Sequence, residues 1–363
     1  MIESPQSPRP EEQAAPGREG RLAVSHSMSR WATVGERFAL PLVWVAVIVV
    51  FSLIEPSSFP TVGNVANVFG SQEVLFVLTM AVLIPSIHGD FDLSLGSIAG
   101  LTAMVAAILN VNDHVNILLA CLAGIAAAVV AGVVNGVIVV TFDNDPFIVT
   151  LGTMTAITGL TYWISHSQTI GVVSSSLTNW LFTKTVFAIP LEFYYGLVLL
   201  AVVWYFFTLT PAGQRASFVG QSRDVARLSG IRVNRMRLRA YTIGAAVAGL
   251  AGIVYLGTNG SGDPTAGSTL LLPAYAAAFL GATSIRPGRF NAIGAAIAVY
   301  FLATGVAGLQ LLGAQDYVQQ LFYGAALVVA IVLSNIIRRQ KTRPVARSTA
   351  ETGPATETTA VAD

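Results

Sequence analysis

Charged side chains are scarce in this sequence: only 11% of its 363 residues are Asp, Glu, Lys or Arg, against about 25% in a typical soluble domain. The apolar residues fall in long runs, among them 38–54, 117–141, 193–209 and 318–337. Each run is close to the roughly 20 residues that a helix needs to cross the hydrocarbon of a bilayer. The composition therefore excludes an ordinary soluble domain and predicts an all-α, polytopic membrane protein.

Cysteine and lysine are almost absent, and each absence excludes a class of site. The single Cys121 lies inside an apolar run, so the sequence predicts neither a disulfide framework nor a cysteine cluster for a metal. A phosphate-binding loop needs the pattern G-x-x-x-x-G-K-[ST], but the only lysines are Lys184 and Lys341, and neither follows a glycine. Because the four histidines also lie in different segments, we expect no cofactor, no metal and no catalytic site. Any ATP hydrolysis must then reside on another polypeptide.

Arginine supplies most of the positive charge, and it is confined to four segments, 9–37, 215–239, 286–289 and 338–347. Positive residues accumulate in cytoplasmic loops, and ten spans that start inside place all four segments there, with both termini cytoplasmic. The net charge of +1 gives no reason to expect a nucleic-acid partner. The predicted spans are 38–54, 65–87, 95–111, 117–141, 148–165, 191–209, 238–257, 271–285, 291–310 and 317–337.

Three regions follow from this pattern. Residues 1–37, rich in Pro, Glu, Gln, Ser and Arg, are predicted to be a disordered basic tail. Residues 38–337 form the transmembrane domain, which includes a cytoplasmic loop at 210–237, and residues 338–363 form a disordered cytoplasmic tail. The second and eighth spans contain proline, glycine and polar residues, so they are the places where a broken or re-entrant element would occur.

An acidic segment, HGDFDLSLGS at 88–97, interrupts a long apolar stretch. Two carboxylates near membrane depth are costly and normally face a cavity, a partner or water, and the glycines permit a bent backbone. Asp90, Asp92 and Ser94 are therefore candidates for lining a translocation pathway. The alternative is a cytoplasmic turn in which Asp92 and Ser94 only cap the following helix.

A second polar segment is FDNDPFIVTLGT at 142–153. Pro146 suits the first turn of a helix with Asp145 as its N-cap. Upstream, Asn135 lies inside an apolar span, where an amide needs a partner on another helix or in a solute. Asn135 and Asn144 join the candidates for the pathway, and the alternative is a tight polar loop between spans four and five.

The third segment, GQSRDVARLSGI, predicts a short amphipathic helix in the basic loop. Ser222 is placed to cap its start, Asp224 lies in its first turn, and Gly230 is a natural stop. Val225 and Leu228 lie three residues apart and share one face. A helix of two turns is not stable alone in water, so it must dock on its own chain, on lipid or on a partner protein.

Together these segments resemble the signatures of the permease family of sugar ABC importers, typified by the ribose, xylose and galactose systems. The stretch GDFDLSLGS at 89–97 resembles the family's GGIDLSVGS, and DPFIVTLGT at 145–153 resembles its PPFIVTLGT. ARLSGI at 226–231 matches the family's loop sequence, and GATS at 281–284 resembles its GGTS. The likeness covers 38–339, nearly the whole membrane part.

The resemblance implies a division of labour in a bacterial inner membrane. Such permeases pair as dimers, here expected to be homodimers, and line the pathway for a monosaccharide or related polyol. A sugar-binding protein delivers the cargo from outside, and cytoplasmic ATPase subunits bind the short loop helix. The residues that would couple this chain to the ATPase are Ser222, Asp224, Val225, Arg227, Leu228, Ser229, Gly230 and Ile231.

Other classes of membrane protein remain as alternatives. An ion-coupled secondary transporter would use Asp90 and Asp92 to bind a proton or sodium, but it has no evident use for the loop helix. A membrane enzyme needs a catalytic constellation near one membrane face, and the sequence offers none. A pure scaffold leaves the intramembrane acids unexplained. Co-isolation with an ATPase would separate the importer from the secondary transporter, but the sequence does not specify which sugar passes.

Overall fold

The computed structural model describes residues 37–179 and 184–342, and over these residues the chain is a bundle of apolar helices with four short strands. The elements are α1 Arg37–Ile54, α2 Val62–Gly70, α3 Glu73–Ile87, α4 Leu95–Val111, α5 Ile117–Thr141, α6 Pro146–Ile164, β1 Ile170–Gly171, α7 Ser175–Thr178, β2 Thr185–Val186, β3 Ile189–Pro190, α8 Leu191–Leu209, α9 Pro211–Gln221, α10 Arg223–Leu228, α11 Val233–Asn259, β4 Ser261–Gly262, α12 Ala266–Gly281, α13 Ala292–Leu311 and α14 Asp316–Thr342.

Helices occur at all ten predicted spans, which confirms the all-α polytopic fold. Within the described ranges, eight apolar helical stretches are long enough to cross a membrane, and α4 and α12 are shorter apolar helices. One of the eight is the pair α2 and α3, which a two-residue turn at 71–72 divides. The eighth predicted span differs in position, since α12 starts five residues earlier than expected and ends at Gly281.

Polar side chains set the starts of several helices. Asp145 caps α6 as predicted, because its Oδ1 accepts from the N–H of Phe147 (2.8 Å) and Pro146 occupies the first turn. Asn116 and Asn291 act in the same way at α5 and α13. Each cap satisfies a backbone N–H that the helix leaves free, so these boundaries follow from local sequence.

The core is built around α3 and α11. Every residue of α3 except Val74 is buried, as expected of a helix that is apolar on all sides, and α11 packs against α3, α4 and α5. Glycines allow close contact: a Cβ atom at Gly96 of α4 would overlap the carbonyl of Gly267 in α12. By contrast, α1, α6 and α14 expose most of their apolar surface, which suits contact with lipid or with further protein.

Three of the four arginine segments meet at one end of the bundle, called here the basic end. The carbonyl of Arg37 accepts hydrogen bonds from the N–H of Ile285 (3.0 Å) and the hydroxyl of Ser284 (3.0 Å). Arg289 donates to Oε1 of Gln221 (3.1 Å). These bonds join the start of α1, the α12–α13 link and the end of α9, so the segments that the charge pattern groups together also lie together.

The opposite end, called here the far end, carries the short strands. β1 and β4 pair antiparallel, with Ile170 opposite Gly262, so the segment after α6 crosses the end of α11. The N–H of Val173 donates to the carbonyl of Gly260 (3.2 Å) beside this pair. β2 and β3 form a small hairpin just before α8.

The predicted cytoplasmic loop at 210–237 is mostly helical. It contains α9, whose start Thr210 caps by accepting from the N–H of Gly213 (3.1 Å), and α10, while α11 begins earlier than expected at Val233. At the other boundary, α14 continues to Thr342, into the region predicted as a tail. The remainder of the two predicted tails lies outside the described residues.

Candidate functional site

Asp90 lies at the centre of a buried ionic contact at the basic end. Arg237 of α11 donates from Nε to Asp90 Oδ2 (2.7 Å) and from Nη2 to Oδ1 (3.0 Å), and both side chains are almost closed to solvent. Arg223, the first residue of α10, donates to the same Oδ1 and to the carbonyl of Gly89 (3.0 Å). A buried carboxylate needs such paired and hydrogen-bonded partners. Asp90 thus connects the loop 88–94 to both α10 and α11.

Glycines bring this loop into position. Gly89 has a φ of +80°, a conformation that L side chains rarely adopt, and it turns the chain so that the N–H of Asp90 donates to the carbonyl of Pro85 (3.1 Å). Gly220 of α9 lies directly against the turn, since a Cβ atom there would overlap the last carbonyl of α3. Two glycines therefore position Asp90. Gly89 turns the chain, and Gly220 lets α9 pack closely against that turn.

Asp92, Ser94 and Asn135 form a hydrogen-bonded chain from the loop to α5. Nδ2 of Asn135 donates to the Ser94 hydroxyl (2.6 Å), and this hydroxyl donates to Oδ1 of Asp92 (2.6 Å). The same Oδ1 accepts from the N–H of Ser94 (3.0 Å), and all three side chains are buried. Of the two predicted caps, Asp92 accepts a backbone N–H just before α4, whereas the Ser94 side chain makes no capping bond.

Two further helices hold the backbone of the loop. The hydroxyl of Tyr275, in α12, accepts from the N–H of Asp92 (2.9 Å). The hydroxyl of Thr150, in α6, accepts from the N–H of Leu93 (3.1 Å) and donates to the carbonyl of Pro146 (2.8 Å). Neither residue is predicted from the sequence. Thr150 lies inside the second signature, which was a usable signal, whereas nothing in the sequence singles out Tyr275.

Two polar groups beside this network have no hydrogen-bond partner among the described residues: Oδ2 of Asp92 and the hydroxyl of Tyr241 in α11. The Tyr241 hydroxyl lies near both acids of the loop. Burial raises the pKa of Asp92 to about 6, although the hydrogen bonds that Asp92 accepts from Ser94 lower it. Burial likewise lowers the pKa of His88. Both atoms are closed to solvent, so the surrounding helices bury them without a hydrogen bond.

The fifth predicted pathway residue, Asn144, lies apart from the buried network. It is on the exposed turn between α5 and α6, where its Nδ2 is 3.5 Å from the carbonyl of Ile138. The structure thus brings Asp90 together with three of the other candidates and leaves Asn144 at the surface. Within the described ranges, no group of three or more His, Cys, Asp or Glu is placed to hold a metal ion.

The partners of Asp90 were also missed. In the sequence, Arg223 and Arg237 stand out only as members of the set of loop arginines that indicates topology. The signal that could have identified them was the acidic segment itself, because two carboxylates in an apolar stretch without a cation require one from elsewhere.

Helix α10 has the ends that the sequence predicts. The Ser222 hydroxyl accepts from the N–H of Val225 (3.4 Å), Asp224 lies in the first turn, and Gly230, with a φ of +77°, follows the end of the helix. Val225 is 49% exposed and Leu228 is 89% exposed. The predicted apolar face is therefore not covered by the described parts of the chain.

The opposite face of α10 packs on the protein itself. Ala226 is fully buried against residues of α9 and α11, and Ile231 packs on the same small cluster. The Ser229 hydroxyl donates back to the carbonyl of Val225 (2.9 Å), and Arg227 pairs with the exposed Asp224 at 3.7 Å. Of the predicted coupling residues, Ile231 thus anchors the helix to its own chain and Leu228 projects from it.

Comparison with known proteins identifies the family. Residues 64–331 match the family described as the branched-chain amino acid transport system permease component. The chain is 30% identical over 295 residues to the ribose import permease protein of Escherichia coli strain K12, covering 80% of this chain and 91% of the relative. It is 28% identical over 309 residues to the D-allose transport system permease protein of the same strain, covering 85% and 93%.

A third relative is the autoinducer 2 import system permease protein of Photorhabdus luminescens, which is 28% identical over 286 residues, with 77% of this chain and 81% of the relative covered. No solved structure matches the chain. Because the family match covers well over half of the sequence, the chain belongs to this family of permease components and is a transport subunit rather than an enzyme.

Proposed function

We propose that the chain is the membrane-spanning permease subunit of an ABC importer for a simple sugar, meaning a monosaccharide or a related polyol. An extracytoplasmic binding protein delivers the cargo, and a separate ATPase subunit drives its passage. The ribose and D-allose permeases among the relatives support this cargo class. The observation that carries the mechanism is the contact between Arg223 and Asp90, because it ties α10 to the loop where most of the predicted pathway residues meet.

In this proposal the ATPase docks on α10. Val225 and Leu228 present an apolar surface that the described part of this chain leaves open. A groove on the ATPase would bury them, and a fully buried Leu-sized side chain contributes about 1.5–3 kcal/mol. Ser222 and Gly230 define the two ends of the docking helix, and Ile231 holds it on the permease.

Motion of α10 then reaches the interior through Asp90. The carboxylate is shared between Arg223 of α10 and Arg237 of α11, so a displacement of α10 acts on the loop 88–94 and on α11 together. Beyond this loop, Asp92, Ser94 and Asn135 form the buried polar chain, which lines the inner end of the pathway in this proposal. Asn144 joins that end from the adjoining surface turn.

A second copy of the permease completes the pathway. Helix α6 supports this part of the proposal, because it exposes a stripe of small residues consisting of Gly152, Thr155, Ala156 and Gly159, and space is open around both glycines. Small residues allow close packing between helices in a membrane. An Ala156→Cys variant, with the buried Cys121 as the only native cysteine, should form a disulfide-linked dimer in oxidised membranes. A monomer under all oxidising conditions would argue against α6 as the interface.

The basic end faces the cytoplasm of a bacterial cell in this proposal, with the protein in the inner membrane and both termini inside. Support comes from the arginines of three segments that lie together there, since Lys and Arg accumulate on the cytoplasmic side. The far end then receives the binding protein. Protease protection of tags at both termini would test the orientation, and a tag accessible from outside would overturn it.

The alternative of an ion-coupled transporter is less well supported. Both oxygens of Asp90 already bond to arginines, and Oδ1 of Asp92 bonds to Ser94, so of these two acids only Oδ2 of Asp92 is left for sodium. The named relatives are permeases of import and transport systems for ribose, D-allose and autoinducer 2. Neither observation favours coupling to an ion.

Reconstitution tests the proposed function directly. The permease is expressed with its ATPase and binding protein, and uptake of labelled D-ribose and D-allose is measured in proteoliposomes with ATP inside. Uptake that requires ATP and the binding protein supports the proposal. Uptake driven by a sodium or proton gradient without ATP would replace it with the ion-coupled alternative.

A further inference from the structure

A cavity of about 710 Å³ lies at the far end, away from the network around Asp90. It is enclosed by the starts of α3, α8, α12 and α14 and by the end of α11. Its size falls in the range of small-molecule sites, about 300–1,000 Å³. Amides, hydroxyls and aromatic rings contribute to its lining, among them Gln72, Tyr255, Asn259, Thr269, Gln319 and Tyr323.

Two acidic residues belong to the wall of this cavity, with their carboxylate oxygens closed to solvent. Glu73 of α3 is 1% exposed and Glu192 of α8 is 0% exposed, and none of their four carboxylate oxygens has a hydrogen bond among the described residues. The two carboxylates lie near one another. A buried carboxylate normally pairs with a cation or accepts several hydrogen bonds, so the fold leaves a strong demand for donors at this place.

A glycine and a tyrosine lie beside the two carboxylates. Gly196 lies one turn after Glu192, and a Cβ atom at Gly196 would overlap the Glu73 carboxylate, so the glycine makes room for it. Tyr300 of α13 is only 6% exposed and its hydroxyl also lacks a partner. This hydroxyl lies near both carboxylates.

We propose that Glu73 and Glu192, with Tyr300 behind them, form a subsite for a polyhydroxylated solute, in which the two acidic side chains turn toward the cavity and adjacent hydroxyl groups of the solute donate to them. A diol supplies two donors at neighbouring positions and adds no charge. The neutral amides and hydroxyls of the cavity wall offer bonds to the remaining hydroxyls, and the aromatic rings offer contact to the C–H faces of a sugar.

A cation is the competing occupant. The described lining of the cavity includes no third carboxylate, and hard cations such as Ca²⁺ take six to eight oxygen ligands, usually with several carboxylates. The predominance of neutral hydrogen-bonding groups favours the polyol. The inference rests on the proposed function, since it names the place where the permease first holds the sugar that the binding protein releases.

The test compares charge-neutral variants in the complete transporter. Glu73→Gln and Glu192→Gln keep the size of the side chains, and Tyr300→Phe removes only the hydroxyl. Asp113→Asn is the control, because Asp113 is exposed in the turn between α4 and α5 and belongs to neither site. Uptake of labelled D-ribose and D-allose is measured at saturating binding protein, together with ATP hydrolysis and gel filtration of each variant in detergent.

We expect each Glu variant to lower maximal uptake about tenfold, because the amide replaces one acceptor oxygen with an N–H donor. ATP hydrolysis and the elution profile should stay as in the wild type, so that less sugar enters per ATP hydrolysed. Tyr300→Phe should show the same change to a smaller extent, which keeps the test informative even if a Glu variant fails to fold.

Two outcomes would overturn the subsite. One is wild-type uptake in all three variants. The other is uptake that depends on sodium in the wild type and loses this dependence in Glu73→Gln, which would assign the pair to a cation. Failure of the proposed function looks different, since the wild-type complex would then import neither sugar.

Discussion

Arg237 and Asp90 form a two-pronged ion pair that is closed to solvent on both sides, with side-chain exposures of 1% and 0%. Their Nε–Oδ2 and Nη2–Oδ1 distances are 2.7 and 3.0 Å, although the residues are 147 positions apart in the chain. This pair fastens the loop between α3 and α4 to the central helix α11, and the half-exposed Arg223 extends it to α10.

Removing Arg237 should destabilise the protein strongly. Arg237→Met leaves the Asp90 carboxylate buried without its main partner, and breaking a buried pair in this way costs about 3–5 kcal/mol. Thermal unfolding in detergent, followed by fluorescence, measures the loss. Arg235→Met is the matched control, since Arg235 is an exposed arginine on the same helix. Equal stability of the two variants would show that the pair contributes little.

Arg223→Ala should uncouple ATP hydrolysis from transport with little effect on folding. The Arg223 side chain is 34% exposed, so its ion pair is screened by water and its loss should cost about 1 kcal/mol or less. The link from α10 to the loop 88–94 is lost, however, and uptake per ATP hydrolysed should fall. Arg232→Ala, an exposed arginine between α10 and α11, should behave as the wild type. Normal coupling in Arg223→Ala would contradict the proposed transmission through Asp90.

Leu228→Glu should prevent the ATPase from docking. Leu228 is 89% exposed, so the substitution leaves the permease itself unstrained, but in the complex it would bury an unpaired carboxylate. Co-purification of the ATPase and uptake should both be lost while the amount of permease in the membrane stays normal. Leu312→Glu, at the far end after α13, is the control for an added acid on an exposed leucine. Unchanged co-purification with Leu228→Glu would move the docking site to another loop.

Asp92 should tolerate Asn much better than Ala. In Asp92→Ala the Ser94 N–H and hydroxyl both lose their acceptor, and an unsatisfied buried polar group costs about 1–3 kcal/mol. An Asn side chain keeps an oxygen at that position. Uptake and thermal stability of the two variants should therefore differ, and Asp113→Ala, which alters an exposed acid, should change neither. Similar, mild effects of Asp92→Ala and Asp113→Ala would remove Asp92 from the site.

The stability of the protein should also depend on pH through Asp92. Burial raises its pKa from 3.8 to about 6, so the native state binds the proton more tightly than the unfolded chain does. Ionisation of Asp92 therefore opposes folding. Its contribution to the free energy of unfolding falls by about 3 kcal/mol as the pH rises from about 4 to about 6, and it stays constant at higher pH. Unfolding measured in detergent across this range should show a smaller decline in Asp92→Asn. If the free energy of unfolding changed equally with pH in the wild type and in Asp92→Asn, the raised pKa of Asp92 would be contradicted.

Local sequence was sufficient for much of the fold. Long apolar runs place the helices, because a helix in a bilayer must satisfy its own backbone bonds over a given thickness. Asp145 before Pro146 and Ser222 before α10 mark helix starts that the structure confirms, since capping involves only neighbouring residues. The grouping of arginines at one end was likewise readable from their spacing alone.

The partners of the buried polar groups were decided only by the tertiary structure. Nothing near Asp90 in the sequence indicates Arg237, and nothing near Glu73 indicates Glu192 or Tyr300, because these contacts join helices that the chain visits far apart. The apolar runs are uniform on all sides of their helices, so periodicity does not reveal which face meets which neighbour. The sequence by itself determined the approximate places of the long apolar helices and of the short helix α10. Their packing decided which carboxylate is neutralised by arginine and which is buried without a partner among the described residues.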